Sequence, residues 1–322
     1  GRVIIFYTRA VNELTPQGSG SFVGGFFFGR DLFAKAGSSP CEGSNEAEMF
    51  YMLVPDPTGA VNGNERTKDF VNGVTVGTIA HEFQHLINAS RRSFVNDAPP
   101  EEVWLNEGLS HIAEELTFYR STGLQPRQNI PLSLLTAQQS VNTAINAFQA
   151  PNLRRVSRYL DATESNSPFA SNDLLATRGA AWQLLRYLAD RTRTADGDIW
   201  FQLVNSTTTG IPNVTNAIGV DPLALAGDFV IANYTDDAVS GVGAPFQHPS
   251  WVFRELLPAF NNNNPPVRVR LLVDGSTNAI TLSGGGAAYV RFGFSGPFGI
   301  IRTTAQGAAV PASVRMTLVR TR

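Results

Sequence analysis

Residues 78–87 read Thr-Ile-Ala-His-Glu-Phe-Gln-His-Leu-Ile, and no other stretch constrains this chain as much. The apolar run has helical character, so one face must enter a core. His81 and His85 are four apart and stand one above the other on a helix face. Two imidazoles so placed can reach one metal ion, and Glu82 projects to the adjacent side, where an attacking water would lie. The chain has only four histidines, so two on one helical turn argue against ordinary core histidines.

A second helix is expected over residues 101–119. Pro99 and Pro100 suit its first turn, and Glu101 and Glu102 would complement the positive end of its dipole. Glu107 falls in its interior, among Val103, Trp104, Leu105 and Ile112. A buried glutamate needs a partner, and a cation held by two histidines supplies one. Catalytic zinc takes three protein ligands and leaves one position open. His81, His85 and Glu107 make such a set, with Glu82 as the base that takes a proton from water and passes it to the leaving amine.

The strings H-E-F-Q-H and W-L-N-E-G-L-S resemble the gluzincin clan of zinc metallopeptidases. W-L-N-E-G is similar to the aminopeptidase N-like branch, and N-E-x-x-S to thermolysin-like enzymes. The local texture most resembles hyicolysin-like bacterial peptidases. The strong resemblance covers about residues 76–118; weaker likeness extends through the leading strands and through 179–188, and it ends near 260. It implies a two-lobed fold with the zinc site in the cleft, and an edge strand that pairs with a peptide substrate. Three departures stand out. Thermolysin-like enzymes carry an aspartate four residues after the glutamate ligand; this chain has His111 there, with Glu114 further along the same face. The clan's aminopeptidases have a G-x-M-E-N string that holds a free amine, and no such string occurs. Their tyrosine, three residues before a Gly-Ala pair, is matched by Ala176 before Gly179-Ala180, with Arg178 nearer. The donor to a developing oxyanion is therefore open among His111, Tyr159, Arg178 and His248.

The whole reads as an α+β fold in three parts. Residues 1–100 form a mixed sheet lobe carrying the active-site helix, 101–260 a mainly helical lobe supplying the third ligand, and 265–322 a small antiparallel β-domain. In the first part, strands are expected at 2–8 (buried, by its β-branched and aromatic content), 22–28 and 49–55. The 22–28 segment, with two glycines, is the candidate substrate-pairing edge. The metal helix runs over about 71–90. Further helices are expected at 131–149, 173–191, 198–205, 221–233 and 249–257. Four asparagines and two prolines at 261–266 mark a boundary. Beyond it, alternating segments at 267–271, 288–292 and 314–320 read as strands with one wet face.

Charged residues are 16% of the chain and net charge is −2, which favours neither nucleic acid nor an anionic membrane. From Val267 on, seven arginines accompany one acid, Asp274, so that part carries +6 and the remainder −8. A solvated arginine face explains this, and docking on the acidic body or on a polyanionic surface is the alternative. Cys41 is the single cysteine, which excludes an internal disulfide and a thiolate zinc site. No run of eighteen apolar residues occurs. The start at Gly1 without methionine reads as a trimmed product, and only Lys35 and Lys68 among 25 basic residues are lysines. Both suit a secreted or cell-envelope protein. Asp196-Gly197-Asp198 and Asp236-Asp237 lack the spacing of a calcium loop. The expected activity is zinc-dependent hydrolysis of a peptide or protein substrate, as an endopeptidase. The alternatives are an aminopeptidase of the same clan and a non-catalytic, zinc-containing surface-binding protein.

Overall fold

The computed structural model describes residues 2–321. It is an α+β molecule with a small sheet at the front and a helical body behind. Strand β1 (Ile4–Tyr7) leads into a short helix α1 (Arg9–Glu13), followed by β2 (Gly25–Phe27) and β3 (Met49–Met52). The sheet order is β1-β3-β2, with β1 parallel and β2 antiparallel to the central β3. This mixed sheet matches expectation, but β1 does not match the buried strand read from its composition. All four of its residues are about half exposed, because it is an edge with no layer on its outer side.

Helix α2 (Lys68–Ala89) carries the two histidines. Thr67 caps it by accepting from Phe70 N–H at 3.1 Å, and Asp69 sits in its first turn, near the positive dipole end. Its interior is rich in valine, threonine, isoleucine and glycine, which are mediocre helix formers, so packing has to hold it. The sheet packs through Phe50, Met52 and Leu86, and through Val11, Leu53 and Val71. Two glycines let neighbours come close. A Cβ at Gly25 would lie 2.6 Å from Met52 Sδ and 3.1 Å from Thr78, so β2 approaches α2 only without a side chain there. A Cβ at Gly77 would lie 3.1 Å from the Ala147 carbonyl.

The second lobe begins with α3 (Val103–Thr122), ended by Gly123 in the left-handed conformation. Its start differs from expectation. Pro99, Pro100, Glu101 and Glu102 lie before the helix, and no acid occupies its first turn. Glu101 instead accepts from Gly210 N–H and Asn213 and pairs with buried Arg92. Glu102 accepts from the Trp104 indole. Next come α4 (Leu132–Ala137), α5 (Gln139–Phe148), α6 (Ala150–Leu160) and α7 (Leu175–Ala189). They are followed by α8 (Asp196–Val204), α9 (Gly210–Ile218), α10 (Pro222–Thr235) and α11 (Phe253–Phe260). The main core joins α3, α5, α6 and α7 through Trp104, Leu105, Ile112, Ile145, Tyr159, Trp182 and Leu185. The back of α3 is fixed by Glu115, which pairs with Arg186 of α7 at 2.9 Å and accepts from the Trp251 indole at 2.6 Å. Among the described residues no single helix is long and apolar enough to cross a membrane.

The C-terminal part departs from the antiparallel expectation. Its ladder, β4 (Val269–Leu271) with β5 (Tyr289–Arg291), is parallel, and the connection of residues 272–288 is long enough for that crossover. The alternating segment 314–320 forms no ladder, and it is mostly exposed, with no second layer to alternate against. Val267 and Tyr289 belong to the main core, and Arg270 is held by both oxygens of Glu164. The acids considered for calcium are otherwise engaged: Asp196 pairs with Arg186 and Arg127, and Asp236 accepts two backbone N–H groups.

Candidate metal centre

Helices α2 and α3 pack side by side, and their facing surfaces bring His81, His85 and Glu107 together. The two Nε2 atoms are 3.2 Å apart. Glu107 Oε2 is 3.4 Å from His81 Nε2, and Oε1 is 3.6 Å from His85 Nε2. A tetrahedral ion with bonds of about 2.0–2.1 Å separates its ligands by about 3.3 Å, so this donor set fits a zinc-like cation. Gly108, next to Glu107, allows the approach of α7: a Cβ there would lie 2.8 Å from Leu185 Cδ1 and 3.1 Å from Ala181.

The protonation of the three groups points the same way. Burial pulls His81 down, yet its bonds to Glu107 and Glu114 carry it up to about 10. His85 is lowered by burial and by the charge of His81. Burial pushes Glu107 up, but the His81 bond and the charges of His81, His85 and Arg178 hold it well below the usual carboxylate range. One proton on His81 thus serves all three groups, in the position a metal cation would serve better.

The two candidate ligand histidines are held from behind. His81 Nδ1 donates to Glu114 Oε1 at 2.9 Å, which leaves Nε2 for a metal. Glu114 supplies a carboxylate where His111 offers none, and it sits seven residues after Glu107 on the same helix face. His111 supports it: its ring is fully buried, Nδ1 donates to Glu114 Oε2 at 3.2 Å, and burial pushes its pKa down to about 3. Asn152 of α6 adds a third donor to Glu114 at 2.7 Å. His85 Nδ1 meets Asn106 Oδ1 at 3.1 Å and Ser110 Oγ at 3.2 Å. Sequence reasoning passed over Asn106, Ser110 and Asn152. The first two flank Glu107 in N-E-G-L-S, so that string held the signal; Asn152 comes from a helix not foreseen. His81, His111 and Glu114 also converge as a group, but their mutual hydrogen bonds make that group the support of the first.

Glu82 is buried, and its Oε2 accepts from Phe27 N–H at 2.8 Å. It therefore links the metal helix to β2, whose outer edge faces it. Arg178 of α7 reaches Glu107 Oε2 at 2.8 Å, while Nε and Nη2 are held by Asp173 at 2.6 and 2.7 Å. Tyr159 and His248 are not brought to the cluster. Tyr159 is fully buried and stacks near Phe229, and burial raises its hydroxyl. His248 packs among Tyr187, Phe229 and Phe253 and bonds to Asn233 at 2.9 Å.

A stretch of 99 residues, 30% of this chain, is 31% identical to the neutral metalloprotease ShpI of Staphylococcus hyicus. The match spans 20% of that protein's length. No protein-family model matches the chain. This distant likeness and the convergent His/Glu cluster together support a metallopeptidase at a coarse level, and the cluster is compatible with a divalent metal.

Proposed function

We propose that the chain is a zinc metalloendopeptidase of the gluzincin type. The observation that carries this reading is the convergence of His81 Nε2, His85 Nε2 and the Glu107 carboxylate beside a buried Glu82. The ion bound there would supply Lewis acidity, acidifying water and polarising a carbonyl. Glu82 keeps Oε2 on Phe27 N–H, which leaves Oε1 to take the proton of the attacking water and return it to the leaving nitrogen. Helix α2 carries both the histidines and Glu82, so base and ligands keep one register.

The endopeptidase reading rests on β2. Strand β2 is a sheet edge, and Phe27 N–H points off its open side toward Glu82. An extended peptide added to that edge would lay its backbone beside Glu82, and edge addition reads main chain rather than chain ends.

The experiment is a casein digest and a blocked-terminus peptide assay, with wild type beside Glu82→Gln. Glu82→Gln should bind zinc stoichiometrically and lose at least about two orders of magnitude in rate. Undiminished activity in that variant would remove Glu82 from its role. Cleavage of free-amine peptides alone would convert the reading to an aminopeptidase. Zinc bound without hydrolysis of either peptide would favour a non-catalytic surface-binding protein.

A further inference from the structure

We propose that Arg178 is the catalytic donor that meets the developing oxyanion during peptide hydrolysis; this rests on the metallopeptidase reading. When water attacks the scissile carbonyl, the carbon–oxygen π pair moves onto oxygen, and the new C–O bond forms as Glu82 takes the proton. The C–N bond then breaks, and Glu82 gives that proton to nitrogen. Negative charge builds on the former carbonyl oxygen, and a fixed donor there lowers the barrier.

The candidates differ in what they can reach. Tyr159, His111 and His248 are each 2% exposed or less and face away from solvent, into the core or behind Glu114. A substrate cannot touch them. The Arg155 side chain is 21% exposed, but it bonds to Asn152 at 2.7 Å and lies 4.0 Å from Glu114, so it borders the support of His81 and not the ligand oxygens. Arg178 is different. Its side chain is 23% exposed against 11% for Glu107, and its Nη1 is 2.8 Å from a ligand oxygen, so it borders both the cluster and solvent.

Its orientation is also fixed in advance. Asp173 grips Nε and Nη2 as a fork, and Nη1 forms an ion pair with Glu107 Oε2 at 2.8 Å. The guanidinium carries five N–H donors, so some remain beyond these bonds, in the plane of the fork. A guanidinium stays charged at every working pH, so it needs no proton transfer to act. Gly179 sets the position of this side chain. A Cβ there would collide with the Arg155–Val156 backbone, so α7 can seat against α6 only with glycine next to Arg178. The alternative role for Arg178 is to orient Glu107 alone, and the two roles have different consequences.

The test compares wild type, Arg178→Met, Arg178→Lys and Asp173→Asn. Each is checked for melting temperature, zinc content, kcat and KM on a blocked peptide, and affinity for a peptide phosphonate by calorimetry. The phosphonate is a tetrahedral anion and reads the donor without turnover. Arg178→Met should keep its zinc and its KM within about threefold, while kcat falls roughly 10²–10³-fold. Phosphonate affinity should fall by a comparable factor. Arg178→Lys should recover part of kcat, and Asp173→Asn should show a smaller loss of the same kind. Loss of zinc from Arg178→Met, with kcat restored at saturating zinc, would reduce Arg178 to a positioning residue and overturn the inference. So would unchanged kcat and phosphonate affinity. A wild type that binds zinc and phosphonate but hydrolyses nothing would defeat the peptidase reading, and the phosphonate series would still judge Arg178. Should Arg178→Met not fold, the Lys and Asp173→Asn variants carry the same comparison.

Discussion

Glu114 is the residue on which the quality of the metal centre turns. It accepts from His81 at 2.9 Å, from His111 at 3.2 Å and from Asn152 at 2.7 Å, and against the cost of its burial the two histidines hold its pKa far down. A carboxylate behind a ligand histidine fixes the ring and raises its basicity. Glu114→Ala should therefore weaken zinc roughly 10–100-fold, and Glu114→Gln less, because an amide oxygen still accepts from Nδ1. Competition with a chromogenic chelator measures both; equal affinity in all three proteins would show that His81 needs no carboxylate. The candidate ligand set could be read from residue types and spacing, because i,i+4 histidines and a helix-interior glutamate have few other uses. The support of the ligands was harder to read. Glu114 was visible as a same-face alternative to the missing aspartate, whereas Tyr159 and His248 carried plausible chemistry in the wrong place. Residue type says what a side chain can do, and only packing says which face it looks from.

At the scale of elements, glycine shows how packing overrules helix propensity. Gly73 in α2 has open space where a Cβ would go, while Gly179 in α7 lies against the backbone of α6. The same change should thus have opposite signs. Gly73→Ala should stabilise by up to about 1 kcal/mol through helix propensity. Gly179→Ala gains that same term but forces α7 off α6, and overpacking costs about 1–3 kcal/mol, so the melting temperature should fall. Thermal unfolding of both variants decides it, and a rise for Gly179→Ala would mean that α6 and α7 can separate at little cost. Propensity also explains what the sequence concealed here. Pro151 looks like a breaker but sits in the first turn of α6, where its missing N–H is harmless. One helix expected at 131–149 is two, because Gln138 adopts an extended conformation between them. The 314–320 segment alternates like a strand and still forms no ladder, since alternation describes a face and does not supply a partner.

For the molecule as a whole, the buried pair His248 and Asp236 makes the pH dependence of stability a sum of opposed slopes. They meet where the segment before α11 joins α10, with His248 N–H donating to Asp236 Oδ1 at 2.9 Å. Burial, helped by the charge of Arg191, pushes His248 down to about 3. Its folded value is depressed, so its contribution is present above the unfolded value near 6.5 and is lost as pH falls from there toward 3. Burial raises Asp236 to about 7 despite the backbone N–H groups it accepts. The folded state holds that proton more tightly than the unfolded chain, so stability falls as pH rises from about 4 to 7. Between about pH 4 and 6.5 the two slopes oppose each other, each at most about 1.4 kcal/mol per pH unit. His248→Gln keeps an N–H donor for Asn233 and removes the imidazole titration. Losing the ring contacts should lower its stability at every pH. The informative quantity is the difference from wild type, which cancels the titrations of the metal cluster. That deficit should shrink as pH falls from 6.5 toward 4, measured by urea unfolding of the metal-free proteins at fixed ionic strength. A deficit that stays constant across that range would mean that His248 titrates alike in the folded and unfolded chain, contrary to its burial among Tyr187, Phe229 and Phe253.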